Sequence, residues 1–322
     1  MTVKLSLLSS LFLVGAYIAP AQTPAVLAAV GYASPAPIPV ASGQVVTLFF
    51  GEIAPVRDGT LRSAEAKTVP LPTVLGGVSV QINQPPVNFP IFAVRQESDC
   101  IDGQANPACL LTSLRVQVPF ILQPAKELVL LADGEVSRSF RLSQVSDSAH
   151  VLTSCDLTWD TNWASSCSRL SFHADGTVIT EKSPARPGES IVVYLWGLGV
   201  TSPMVPTGEP SPPGAVVTQI PGTPAVRARL LDGPRASPTA IPAFYSPEDS
   251  VDPGLPIEFV GLTPGQIGLY QINVTVPQSF TSTTSCGDPV FGQADISIAA
   301  NAVLHITTLY GGTQELGFCW KP

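Results

Sequence analysis

The chain has 322 residues, a formal net charge of −8 and only 16 Lys and Arg. Sixteen scattered cations cannot make the clustered surface that tracks nucleic-acid phosphates, so that partner is excluded. Charged residues make up 12% of the chain against about 25% in an average domain, and the 33 prolines and 26 glycines interrupt it too often for long amphipathic helices. A charge-poor chain of short branched-apolar runs is the pattern of an all-β protein.

Taken in order, the chain opens on an export signal. Lys4 precedes an uncharged apolar run from Leu5 to Ile18, and Ala19-Pro20-Ala21 supplies the small residues that a signal peptidase accepts. Cleavage is expected before Gln22. The run is shorter than the ~20 residues of a membrane-spanning helix, and no later stretch is long and apolar enough to span. Residues 1–21 are therefore assigned as a signal peptide and residues 22–33, rich in Ala and Pro, as a flexible lead-in.

Strand patterns follow over residues 34–145. They fall at Gln44–Phe50, Val78–Ile82 and Leu114–Val118, and at Glu127–Leu131 and Ser137–Leu142 around the Asp133-Gly134 turn. Residues 146–183 read as an irregular connector ending in a hairpin around Asp175-Gly176. A second set occupies 184–310: Ser190–Leu195, then a Pro/Gly/Ser-rich surface loop over 201–223, then Ala225–Leu231, Ile257–Val260, Gly268–Val276, Ala294–Ala299 and Ala302–Thr308. Residues 311–322 are read as a tail.

The two sets echo each other. Ser42-Gly43-Gln44 and the apolar run to Gly51 match Pro187-Gly188-Glu189 and the run to Gly197. Leu114–Pro119 matches Ile272–Pro277. A strand pair of this kind needs a facing sheet to bury its apolar side, so two tandem β-sandwiches are the simplest arrangement.

The six cysteines fall into neighbouring pairs: Cys100 with Cys109, Cys155 with Cys167, and Cys286 with Cys319. An even count in an exported chain favours disulfides, although the sequence alone leaves other connectivities open. Zinc would need closer Cys pairs or accompanying His.

Several of these stretches resemble the Solibacter-type C-terminal domain of exported acidobacterial proteins. They are Pro70–Val80, Val116–Phe120, Pro184–Glu189, Gly197-Leu198-Gly199 and above all Phe259–Pro277. The likeness covers about residues 34–308, and the strand–Gly openings are also similar to IPT/TIG domains. It implies an exported protein of two tandem immunoglobulin-like sandwiches, joined here by the connector that the Cys155–Cys167 pair is read to staple. It implies no activity, cofactor or catalytic residue. The chain departs from the family at Phe49-Phe50-Gly51-Glu52-Ile53, which stands where a Gly-Thr/Asn-rich turn is usual, and in its cysteine-bearing loops.

Chemistry is sparse. His150, His173 and His305 share no motif, no GxSxG elbow occurs, and Asp156, Asp160 and Asp175 lack calcium-loop spacing. Trp159 and Trp163 in the connector are the candidate ligand-contact aromatics, whereas Trp196 is expected in a core. The sequence therefore points to a secreted or envelope module without enzymatic activity or cofactor, partnered by a surface protein or an extracellular glycan. The rival is an exported hydrolase, which a cluster of His173 with acidic side chains would favour.

Overall fold

A computed structural model describes residues 25–83, 85–100, 106–121, 126–158, 167–218, 224–232, 254–279, 286, 300–310 and 312–321. The chain is all-β, with one short α-helix at Ser154–Thr158 and one 3₁₀ turn at Pro107–Cys109 among these residues. Residues 1–21, assigned to the signal, lie outside them, as do Ala294–Ala299. No helix among the described residues is long and apolar enough to cross a membrane.

The first half is two facing sheets. A six-stranded sheet runs in the order Pro35–Ala36, Val26–Gly31, Val45–Gly51, Leu110–Gln117, Ile91–Ser98 and Ser63–Glu65. A four-stranded sheet opposes it in the order Glu135–Val136, Leu128–Ala132, Val78–Ile82 and Val87–Asn88. Successive side chains of a strand point to opposite faces. Val46, Leu48 and Phe50 therefore meet Val78, Val80, Ile82, Leu128 and Leu130 in one core. Each such side chain contributes roughly 1.5–3 kcal/mol when fully buried.

The second half repeats the plan with a seven-stranded and a three-stranded sheet. In the larger one, Ser190–Trp196 pairs with Tyr270–Thr275 on one edge and with His150–Val151 and Phe172–His173 on the other. The smaller sheet is Val226–Asp232, Ala302–Thr308 and Thr313–Phe318. Ile191, Val193, Leu195, Tyr270, Ile272 and Val274 face Leu304, Ile306, Leu316 and Phe318.

The halves then meet face to face. The outward side chain of Val45 packs on Leu152 and Trp196, with Tyr32, Phe92, Tyr194 and Leu269 around them. Phe120, which leaves the first half after its Leu110–Gln117 strand, inserts into the second half's core. The result is a stack of four sheets in which the strands Val45–Gly51 and Ser190–Trp196 of the two large ones are covered on both faces over most of their length.

Four segments differ from the sequence reading. The lead-in is not flexible from Val26 onward: it forms a strand that pairs with Val45–Gly51. Its residues Val26–Gly31 alternate weakly, and pairing between backbones supplies what the pattern lacks. The tail is a sheet strand at Thr313–Phe318, and Phe318, Cys319 and Trp320 are buried. The loop over 201–223 contributes two short strands, Thr201–Ser202 and Val216–Val217, and buries Ser211 and Ala215. The second arm of the hairpin at Asp133-Gly134 is regular only over Glu135–Val136: the Ser137 hydroxyl takes the Leu130 N–H, and the expected arm over Ser137–Leu142 pairs again only at Phe140, with Leu128.

Candidate functional site

A groove of about 540 Å³ opens at one end of the first half, within the size range of ligand sites. It forms where the Val45–Gly51 strand ends. Glu52 there sits at φ 64°, in the left-handed region, which few non-glycine residues occupy without a local reason. The chain then buries Ile53 and loops out to Arg62. Arg62 is 2% exposed, yet its guanidinium is fully used. Nε donates to the Ala54 carbonyl at 2.9 Å, Nη1 to the Gly76 carbonyl at 2.8 Å, and Nη2 to Asp133 Oδ2 at 2.5 Å.

Asp133 and Gly134 have φ of 50° and 92°, as a two-residue hairpin turn with positive φ at both positions demands. The Arg62 hydrogen bond holds the Asp133 carboxyl below the usual carboxylate range, with the charge of Arg57 adding to it. Gly77 lets the pair close: a Cβ there would lie 2.4 Å from Asp133 Oδ1. Ile53, Val56, Leu130 and Val136 give the groove aliphatic walls, and Glu52, Arg57 and Glu135 line it as well. No aromatic side chain among the described residues lines it.

A second cluster is buried between the halves. Tyr32 stacks on His150 at 3.6 Å between ring centroids, and Trp196 lies 5.5 Å from the tyrosine ring. Arg115 sits 5.0 Å over the Trp196 ring. Asp156, 3% exposed, accepts hydrogen bonds at one oxygen from His150 Nε2 (2.9 Å), the Thr153 N–H (2.8 Å) and the Thr153 hydroxyl (2.6 Å). Burial alone would raise its carboxyl pKa, but these bonds outweigh burial and leave it below the ordinary value. The Cys155–Cys167 disulfide anchors the short helix that presents Asp156. The Asp156 carboxylate is buried and its partners come from the strand beside it, His150, and from the residue just before its own helix, Thr153, so the cluster reads as a clasp between the sheets.

A third cluster gathers His173, Glu189 and Ser183. His173 Nδ1 bonds Glu189 Oε1, and Nε2 lies 3.1 Å from the Ser183 hydroxyl. Glu189 Oε2 is held by the Arg186 N–H. These are the contacts of a Ser–His–Glu triad, but two requirements of acyl transfer are missing. Nε2 is equally close, 3.1 Å, to the Ser183 carbonyl oxygen, which suits a protonated ring. The amide of Ser183 is already spent on Thr180, and the next residue, Pro184, has no N–H, so the local donors of an oxyanion hole are absent. Burial acts to lower the His173 pKa, yet the bonds to Glu189 and to the Ser183 carbonyl outweigh it and raise it overall.

The sequence-singled residues scatter across these places. Trp159 and Trp163 lie outside the described residues. Cys100–Cys109, Cys155–Cys167 and Cys286–Cys319 are bonded as neighbours. Trp196 is buried between the halves rather than inside a sandwich core, because it is on the outward face of its strand. Of the histidines, His150 and His173 each have an acidic partner, which the lack of motif concealed. His305 is buried on a strand, and burial lowers its pKa. The groove was missed altogether, since its residues come from four separate segments. Among known proteins, the chain matches no protein-family model, no curated protein and no solved structure.

Proposed function

We propose that the chain is an exported, non-enzymatic binding module of two immunoglobulin-like sandwiches, engaging a surface protein or an extracellular glycan through the groove at the end of the first. The Lys4–Ala21 segment, the three disulfides and the likeness to the Solibacter-type domain support export and the fold type. The groove itself carries the binding reading. A cavity of ligand size, a left-handed Glu52 and side chains of both charges converge there. Strain of that kind persists where surrounding structure or function demands it. The test is a glycan array and a binding screen with defined surface proteins, run on the chain from Gln22 onward and on a Val136→Trp variant that fills the groove. Loss of every ligand with the variant supports the reading. Ligands retained in full by a folded Val136→Trp protein refute it.

The contacts among Ser183, His173 and Glu189 favour a second reading, an exported hydrolase with Ser183 as nucleophile. It predicts labelling of Ser183 by a fluorophosphonate and hydrolysis of activated esters, both lost in His173→Gln. An unlabelled Ser183 at alkaline pH, where the imidazole is neutral, discards it.

A further inference from the structure

Building on the groove as the binding site, we infer that its ligand is an extended peptide segment carrying a basic side chain, and not a glycan. The argument begins with the charges. Arg62 is bonded to Asp133, and Arg57 acts on the same carboxylate through its field. Only Arg62 is bonded to Asp133, and the lining as a whole carries three carboxylates, Glu52, Asp133 and Glu135, against two guanidiniums, Arg57 and Arg62. Glu52 and Glu135 remain, and among the described residues neither has a hydrogen-bond or ion-pair partner. Glu135 is exposed beside the aliphatic Val136, itself 55% exposed. Both line the same groove, so a cation entering it would be attracted by both.

The walls give the second half of the argument. A sugar ring offers a flat C–H face and is gripped best by a flat aromatic face; no aromatic among the described residues lines this groove. Ile53, Val56, Leu130 and Val136 are branched knobs, which match the alternating side chains of an extended peptide and not the face of a pyranose. The whole chain carries a net charge of −8, which steers a basic segment inward and repels an acidic one. Glu52, at φ 64°, is one of the residues lining the groove.

Three blocked probes test this by NMR titration of the chain: the pentapeptide Ala-Val-Lys-Val-Ala, its Lys→Glu analogue, and cellotriose. The lysine peptide is expected to shift the amides of Glu52, Ile53 and Glu135 saturably. Affinity should fall about threefold in Glu135→Gln and again in Glu52→Gln, the size of exposed ion pairs, with the fold checked by thermal unfolding. Cellotriose or the glutamate peptide binding the groove as tightly as the lysine peptide overturns the inference while leaving the groove a binding site. If no probe moves the groove amides, both the inference and the groove reading fall.

Discussion

Replacing Phe120 by alanine tests the claim that the two halves are one packed body. Phe120 follows the first half's Leu110–Gln117 strand but is 7% exposed within the second half's core. Its N–H donates to the Thr207 hydroxyl at 3.2 Å. A buried aromatic removes about 150–250 Å² from water, which at about 25 cal/mol per Å² corresponds to ~4–6 kcal/mol. Alanine retains part of this, and Phe→Ala changes in cores cost about 3–5 kcal/mol. We therefore expect about 3–4 kcal/mol, a large share of the 5–15 kcal/mol typical of a folded domain. Urea unfolding followed by tryptophan fluorescence reads it directly, because Trp320 lies in the second core and Trp196 between the halves. The Trp320 environment should melt at lower urea and separate from the first half's transition. Gly43→Ala should act on the same contact. Its φ is 78°, and a Cβ would lie 2.1 Å from the Phe120 ring. The double variant should therefore cost less than the two singles together. A Phe120→Ala loss below about 1 kcal/mol, or strict additivity with Gly43→Ala, would refute the inserted position.

Three further outcomes follow from the same structure. His173 has a raised pKa, so its bonds to Glu189 and Ser183 stabilise fully below the unfolded value of about 6.5 and less as pH rises through the folded value. The melting-temperature gap between the protein and His173→Gln should be wider near pH 6 than at alkaline pH, and a pH-independent gap contradicts the pairing. Asp156 has a depressed pKa, so its contribution is present above about pH 4 and disappears as pH falls through the folded value. Asp156→Asn should lower stability at neutral pH and make little difference in strong acid; an equal penalty at both pH values counts against it. Among the disulfides, Cys286–Cys319 spans 33 residues and Cys100–Cys109 spans 9. Loop closure then gives about 3.7 against about 2.6 kcal/mol, so the paired serine replacement at 286 and 319 should destabilise more in urea. The reverse order would show that strain or local packing decides instead.

The fold class was legible because it rests on local facts. Val78–Ile82 alternates and is a strand with those bounds, and Asp133-Gly134 makes the tight turn that its residue types favour. The two echoing segments also pair in the same way in each half: Val45–Gly51 with Leu110–Gln117, and Ser190–Trp196 with Tyr270–Thr275. What was not legible depends on distant partners. Val26–Gly31 becomes a strand because the Val45–Gly51 edge is there to receive it. The Arg62–Asp133 pair joins residues that no spacing rule connects. His150 and Asp156 lie six residues apart, yet they meet only because a disulfide-anchored helix folds back beside the strand.

One signal of the groove and one of the four-sheet stack were nonetheless present in the sequence. Glu52 follows the strand's closing Gly51, and its φ of 64° is one that glycine or asparagine would adopt with less strain. The charged side chain at this position also lines the groove. The central strands hold the other signal. A sandwich strand with one wet face alternates polar and apolar residues, but Val45 to Phe50 are all buried, and Ile191 to Val193 and Leu195-Trp196 likewise. An unbroken apolar run means that both faces are covered. In a chain with two such strands, one in each half, the economical cover for each outward face is the other, and Val45 against Trp196 is that contact.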